Sequence, residues 1–94
     1  MDKIISRMAE IFTILGEPTR LRIILHLQEV QEDSVGEMAE ALELSQSNLS
    51  HQLAILKRTD LVKFRKEGRK TLYSLDDEHV EELIKVAFIH AKHQ

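Results

Sequence analysis

Between Val62 and Leu75 the spacing of apolar residues changes from a helical period to a period of two: Val62 and Phe64, then Thr71, Tyr73 and Leu75, flank Glu67-Gly68. Residues of β-forming type at alternate positions on either side of a turn predict a hairpin. The segments before and after it carry the helical period, so the hairpin has to pack onto helices. Ninety-four residues allow one core for that packing, since a second domain needs roughly 100 residues more.

From Asp2 to Leu15, Ile4, Ile5, Met8, Ile11, Phe12 and Leu15 recur at steps of three and four, the stripe of an amphipathic helix that Gly16 ends. Pro18 lacks an N–H that a first helical turn does not use, and opens a second helix to about Val30. Gln31 to Asp33 form its polar exit. Ser34-Val35-Gly36-Glu37 has the Ser-x-x-Glu form of a capping box and starts a third helix to about Leu42. Glu43-Leu44 makes a tight connection to Ser45, the N-cap of a fourth helix to about Thr59. Asp76 or Asp77 caps a last helix to about Lys92. The expected order is ααααββα, a mainly α winged helix-turn-helix with a small β-hairpin, in a single domain over 1–94.

Charge is unevenly placed. The formal net charge is −3, but residues 1–44 sum to −5, residues 45–75 to +5 and residues 76–94 to −3. A basic middle third in an acidic chain points to a polyanionic partner for that third alone. The chain has no cysteine, which excludes disulfides, thiolate metal sites and cysteine nucleophiles. Ser50 and His51 are neighbours without an orienting carboxylate, and no glycine-rich phosphate loop is present, so catalysis is not expected. Apolar runs such as Val86–Ile89 fall far short of the ~18 residues of a membrane span, and MDKIISRMAE has no apolar signal core. A cytoplasmic protein with no membrane partner is expected, and a domain this small gains from pairing with a second copy.

On the fourth helix Leu49, Leu53 and Leu56 fall within about 60° of one another, which makes them a core stripe with Ser47, His51 and Arg58 opposite. Gln46, Ser47, Ser50 and His51 have the size and polarity to read base edges when a helix N-terminus enters a major groove. Lys57 and Arg58 would hold phosphates near the helix end. Around the hairpin turn Lys63, Arg65, Lys66, Arg69 and Lys70 face only Glu67, as expected of a wing that tracks a phosphate backbone.

The stretch LSQSNLSHQLAILKRTDLVKFRKEGRKTLYSL, together with EPTRLRIILHL before it, resembles the ArsR/SmtB family of bacterial metal-sensing repressors. That resemblance covers nearly the whole chain. It implies a winged-helix homodimer on double-stranded, two-fold operator DNA, with the first and last helices forming the dimer.

The last helix holds three of the five histidines, His79, His90 and His93. His79 and His90, eleven residues apart, differ in phase by about 20°, and His93 lies about 40° to the other side. The three imidazoles share a face, yet about 16 Å separates its ends, so one helix cannot close a metal shell. An antiparallel copy can: it sets His90 and His93 of one subunit beside Asp77 and His79 of the other, giving two symmetric sites per dimer, with Leu83 and Val86 as the apolar seam between them. On an ideal helix Asp77 and His79 diverge by about 200°, so Asp77 has to lie in or before the first turn. Asp-x-His followed by His-x-x-His resembles the last-helix sensor site of the family's zinc and cobalt branch. Four N/O donors without a thiolate suit a closed site for Zn(II), or Co(II), as regulatory ligand. Nickel would favour additional donors, and the Met1–Lys3 end supplies no His. His26, within an apolar helix, reads as a packing residue. The expected function is a repressor released from its operator by metal. The alternative is a winged-helix repressor answering a non-metal signal, and a winged helix serving protein interaction would leave the basic wing without a use.

Overall fold

The computed structural model describes residues 1–93. Among them are helices α1 (Asp2–Leu15), α2 (Pro18–Val30), α3 (Val35–Leu42), α4 (Gln46–Arg58) and α5 (Glu78–Lys92), and strands β1 (Asp33–Ser34), β2 (Val62–Glu67) and β3 (Lys70–Leu75). Four of the helices begin where a side chain accepts from amides that have no partner inside a helix. Glu17 accepts from the Arg20 N–H at 3.0 Å with Pro18 in the first turn. Ser34 accepts from the Glu37 N–H at 3.3 Å, Ser45 from Asn48 at 3.1 Å and Asp77 from Val80 at 3.0 Å.

The helix limits follow the sequence reading closely, and the expected wing is present. Two local details differ. Glu37 does not reach back to the Ser34 N–H; it accepts from the Ser34 hydroxyl at 3.0 Å, while that N–H donates to Asp33 Oδ1 at 2.9 Å. The hairpin turn is Gly68-Arg69, with Glu67 paired to Lys70. Gly68 has φ +62° at the first central position of a two-residue loop, where a β-hairpin calls for glycine.

A third strand also appears where a polar helix exit was expected. Asp33 and Ser34 pair antiparallel with Tyr73 and Leu72, giving the sheet order β1-β3-β2. The hairpin is thereby fastened to the chain leaving α2, which matters because two strands alone are marginal in water.

The core lies where α2, α3, α4 and the base of the wing meet. Ile23, Ile24, Leu27, Met38, Leu49, Leu53, Leu56 and Val62 are all essentially fully buried, each contributing roughly 1.5–3 kcal/mol of hydrophobic stabilisation. Leu49, Leu53 and Leu56 fix the inward face of α4 and so set its outward one. Both ends of the helix-turn-helix use left-handed residues: Glu43 (φ +57°) closes α3 with Leu44 N–H donating to Ala39 O, and Asp60 (φ +58°) closes α4 with Leu61 N–H donating to Leu56 O, both at 2.9 Å. These six-to-one bonds are the Schellman closure, in which the chain reverses without leaving the last carbonyls bare.

Candidate nucleic-acid interface and metal half-site

Gln46, Ser47, Ser50 and His51 are all exposed on the first two turns of α4, with Ser47 and His51 opposite its leucine stripe. The N-terminal end of the helix, with its partial positive charge, lies on the same side, as phosphate approach requires. A network that the sequence reading missed holds this helix. Arg20 donates from Nε to Ile14 O at 2.8 Å and from Nη1 to Gln52 Oε1 at 3.1 Å, and Gln52 donates on to Asn48 Oδ1 at 3.3 Å. One guanidinium thus joins the end of α1, the start of α2 and the unread flank of α4. Arg22 similarly donates to Leu42 O at 2.8 Å and satisfies the end of α3.

The wing's cations are sorted by whether a carboxylate reaches them. Lys63, Lys66 and Arg69 are exposed and form no ion pair among the described residues. Lys70 meets Glu37 of α3 at 3.3 Å. Arg65 meets Glu32 through Nε at 2.7 Å and Nη2 at 2.8 Å, and Glu67 through Nη2 at 2.7 Å. Its guanidinium holds the Glu32 carboxyl below the usual range, chiefly by hydrogen bonding. Lys57 sits over the Phe64 ring at 5.1 Å, and that ring packs on Tyr73 with centroids 5.6 Å apart. The end of α4 and the base of the wing therefore form one continuous surface. Arg58 is exposed beside it.

At the start of α5, Asp77 lies just outside the helix with extended backbone (φ −158°, ψ −178°). That conformation removes the divergence expected on an ideal helix. Oδ1 accepts from Val80 N–H, and Oδ2 is 3.4 Å from His79 Nδ1. The Val80 N–H, and then the neighbouring imidazole, keep the carboxyl below its ordinary range and so ionised. Two donors bound to one tetrahedral ion by bonds of ~2.0–2.1 Å stand about 3.3 Å apart, so this pair fits one edge of a zinc shell. The His79 side chain is 95% exposed, open to donors from outside.

His90 and His93 occupy the opposite end of α5, both exposed, with His93 as C-cap. Within one chain, among the described residues, no three potential ligands converge. The four residues thus form two halves separated by most of a helix. Exposed Leu83 and Val86 lie between them, and exposed Ile4, Ile5, Met8 and Phe12 run along α1. A cleft of about 360 Å³ lies between the start of α5 and the C-terminal end of α4: Arg58, Thr59 and Asp60 line it together with Asp77 and His79. His26 donates from Nε2 to Asp33 Oδ2 at 2.7 Å and so is satisfied within the fold, as expected. No helix among the described residues is long and apolar enough to cross a membrane.

Residues 17–63 match the family described as bacterial regulatory protein, arsR family. A cadmium resistance transcriptional regulatory protein CadC homolog from Staphylococcus aureus is 40% identical over 90% of this chain and 70% of its own length. A transcriptional repressor SmtB homolog from Synechocystis sp. is 47% identical over 80% of this chain and 56% of its own. In solved structures, the homodimeric winged helix-turn-helix DNA-binding domain of a Mycobacterium bovis protein superposes with a TM-score of 0.92 at 26% identity, covering 97% of this chain and 83% of that one. With its winged helix-turn-helix fold and these relatives, the chain belongs to the ArsR/SmtB family of transcriptional regulators.

Proposed function

We propose that this regulator represses by binding a two-fold operator as a homodimer and leaves it when Zn(II), or Co(II), occupies two sites built across the subunit boundary. The observation that carries the metal reading is the Asp77–His79 pair, 3.4 Å apart at one end of α5, with His90 and His93 at the other. An antiparallel α5 from a second subunit completes each pair with two imidazoles. The bound ion supplies a fixed geometry between two chains. Asp77 and His79 hold one side of that geometry, His90 and His93 the other, while Leu83 and Val86 bury the seam. The donor set lacks sulfur, which separates it from sites that select soft ions.

On DNA, Gln46, Ser47, Ser50 and His51 read bases, and Lys57 and Arg58, with the unpaired wing cations Lys63, Lys66 and Arg69, supply charge toward the backbone. Two such readers must match major grooves about 34 Å apart. A change in how the α5 helices cross alters that spacing, and the cleft shared by Asp77, His79 and Arg58–Asp60 supports a short path from ligand to reader. Titrating the dimer with Co(II) and following its visible absorption tests the site. One tetrahedral ion per protomer is expected, lost in His79→Ala and in His90→Ala/His93→Ala. An undiminished signal in either variant removes the assignment.

A further inference from the structure

Charge counting treats the five wing cations as equivalent, but the hydrogen bonding does not. The Arg65 guanidinium grips Glu32 side-on through Nε and Nη2, at 2.7 and 2.8 Å, and directs Nη2 also to Glu67 at 2.7 Å. Bidentate capture of a phosphate needs two parallel N–H groups. The Nε/Nη2 edge is taken by Glu32, and the terminal edge shares its Nη2 with Glu67, so neither is open. Arg65 is paired across the ladder with Leu72, which pairs in turn with Ser34. The ion pair to Glu32 therefore crosses the middle strand β3 and joins β2 to the chain entering β1.

We infer that Arg65 is a positioning residue that sets the angle of the wing through Glu32, and that the backbone contacts of the wing belong to Lys63, Lys66 and Arg69. The reach of the carboxylates, more than strand alternation, explains the division. Lys63, Arg65, Glu67 and Lys70 share one face of the hairpin, where Arg65 meets Glu32 and Glu67 and Lys70 meets Glu37 while Lys63 forms no ion pair among the described residues, whereas Lys66 lies on the other face and Arg69 at the tip. The side chains of Arg65 and Glu32 are 54% and 35% exposed. Their pairing serves geometry more than stability, since exposed ion pairs add little to folding.

This inference rests on the DNA-binding reading, and the test separates the two. The affinity of the dimer for a fluorescein-labelled duplex of mixed sequence is measured by anisotropy over a range of salt concentrations. Lys66→Ala and Arg69→Ala are each expected to flatten the log–log salt slope by about 0.9, the value of one phosphate contact. Arg65→Gln is expected to lower affinity a few-fold while leaving the slope within about a third of a unit. The charge-exchanged double variant Glu32→Arg/Arg65→Glu is expected to recover affinity relative to Arg65→Glu alone. A slope loss near 0.9 in Arg65→Gln, or no recovery in the exchanged pair, overturns the positioning role while DNA binding stands. Absence of salt-sensitive binding by the unsubstituted protein overturns both.

Discussion

Val86 offers a quantitative test of the dimer seam. It lies on α5 between the phases of His79 and His93 and is 65% exposed, an arrangement that leaves a valine in water unless a second chain covers it. Burying a valine fully contributes roughly 1.5–3 kcal/mol, so the exposed share amounts to about 1–2 kcal/mol per protomer. The two-fold axis doubles it. Val86→Ser is therefore expected to weaken the dimer by about 2–4 kcal/mol, raising its Kd from about 30-fold to several hundred-fold. Sedimentation equilibrium at several loading concentrations reads this directly. Phe88 provides the control. It is 48% exposed on the flank of α5 that faces Leu25 and Glu29 of α2, so Phe88→Ser should leave dimerisation near that of the unsubstituted protein. Equal weakening by both substitutions, or an undisturbed dimer in Val86→Ser, would refute the antiparallel seam and the metal sites that depend on it.

The other expectations concern fold and site. Leu53→Ala, at a fully buried position on α4, should reduce stability in urea by about 2–5 kcal/mol at fixed protein concentration. Gly68→Ala has open space around the added carbon but a backbone at φ +62°; a cost of about 1 kcal/mol, seen as a Tm lower by about 4–8 °C, is expected from the backbone alone. A mixed dimer of His79→Ala with His90→Ala/His93→Ala subunits should bind one Co(II) strongly, with one site intact and the other reduced to a lone Asp77, while each mutant homodimer binds none.

The helices were legible because their signals are local: Pro18 in a first turn, Ser34, Ser45 and Asp77 as caps, and leucines at helical spacing on α4. Strand β1 was not, because two residues carry no periodicity and Asp33–Ser34 is extended only through its pairing with Tyr73 and Leu72. Partner choice among charges was equally hidden. The basic tip of the wing could be counted, but Arg65 and Lys70 each find a carboxylate 33 residues away, a relation set by tertiary packing. The Arg20–Gln52–Asn48 network escaped for the same reason. At the proposed metal half-site helical phase gave the shared face of His79, His90 and His93, and the conflict at Asp77 was informative in itself. Only a residue outside the helix could satisfy it, and its extended backbone does so.

The measurement closest to the central claim is anisotropy of the dimer on an operator duplex selected from a random pool, with and without two equivalents of Zn(II) per dimer, at several salt concentrations. Coupling between separate sites commonly changes affinity by about 5–150-fold. A zinc-induced loss in that range is expected, matched by an equal weakening of zinc binding when the operator is present, since the coupling is reciprocal. A zinc-loaded dimer that holds the operator as tightly as the metal-free one at every salt concentration would contradict release by metal and leave the α5 residues without a regulatory role.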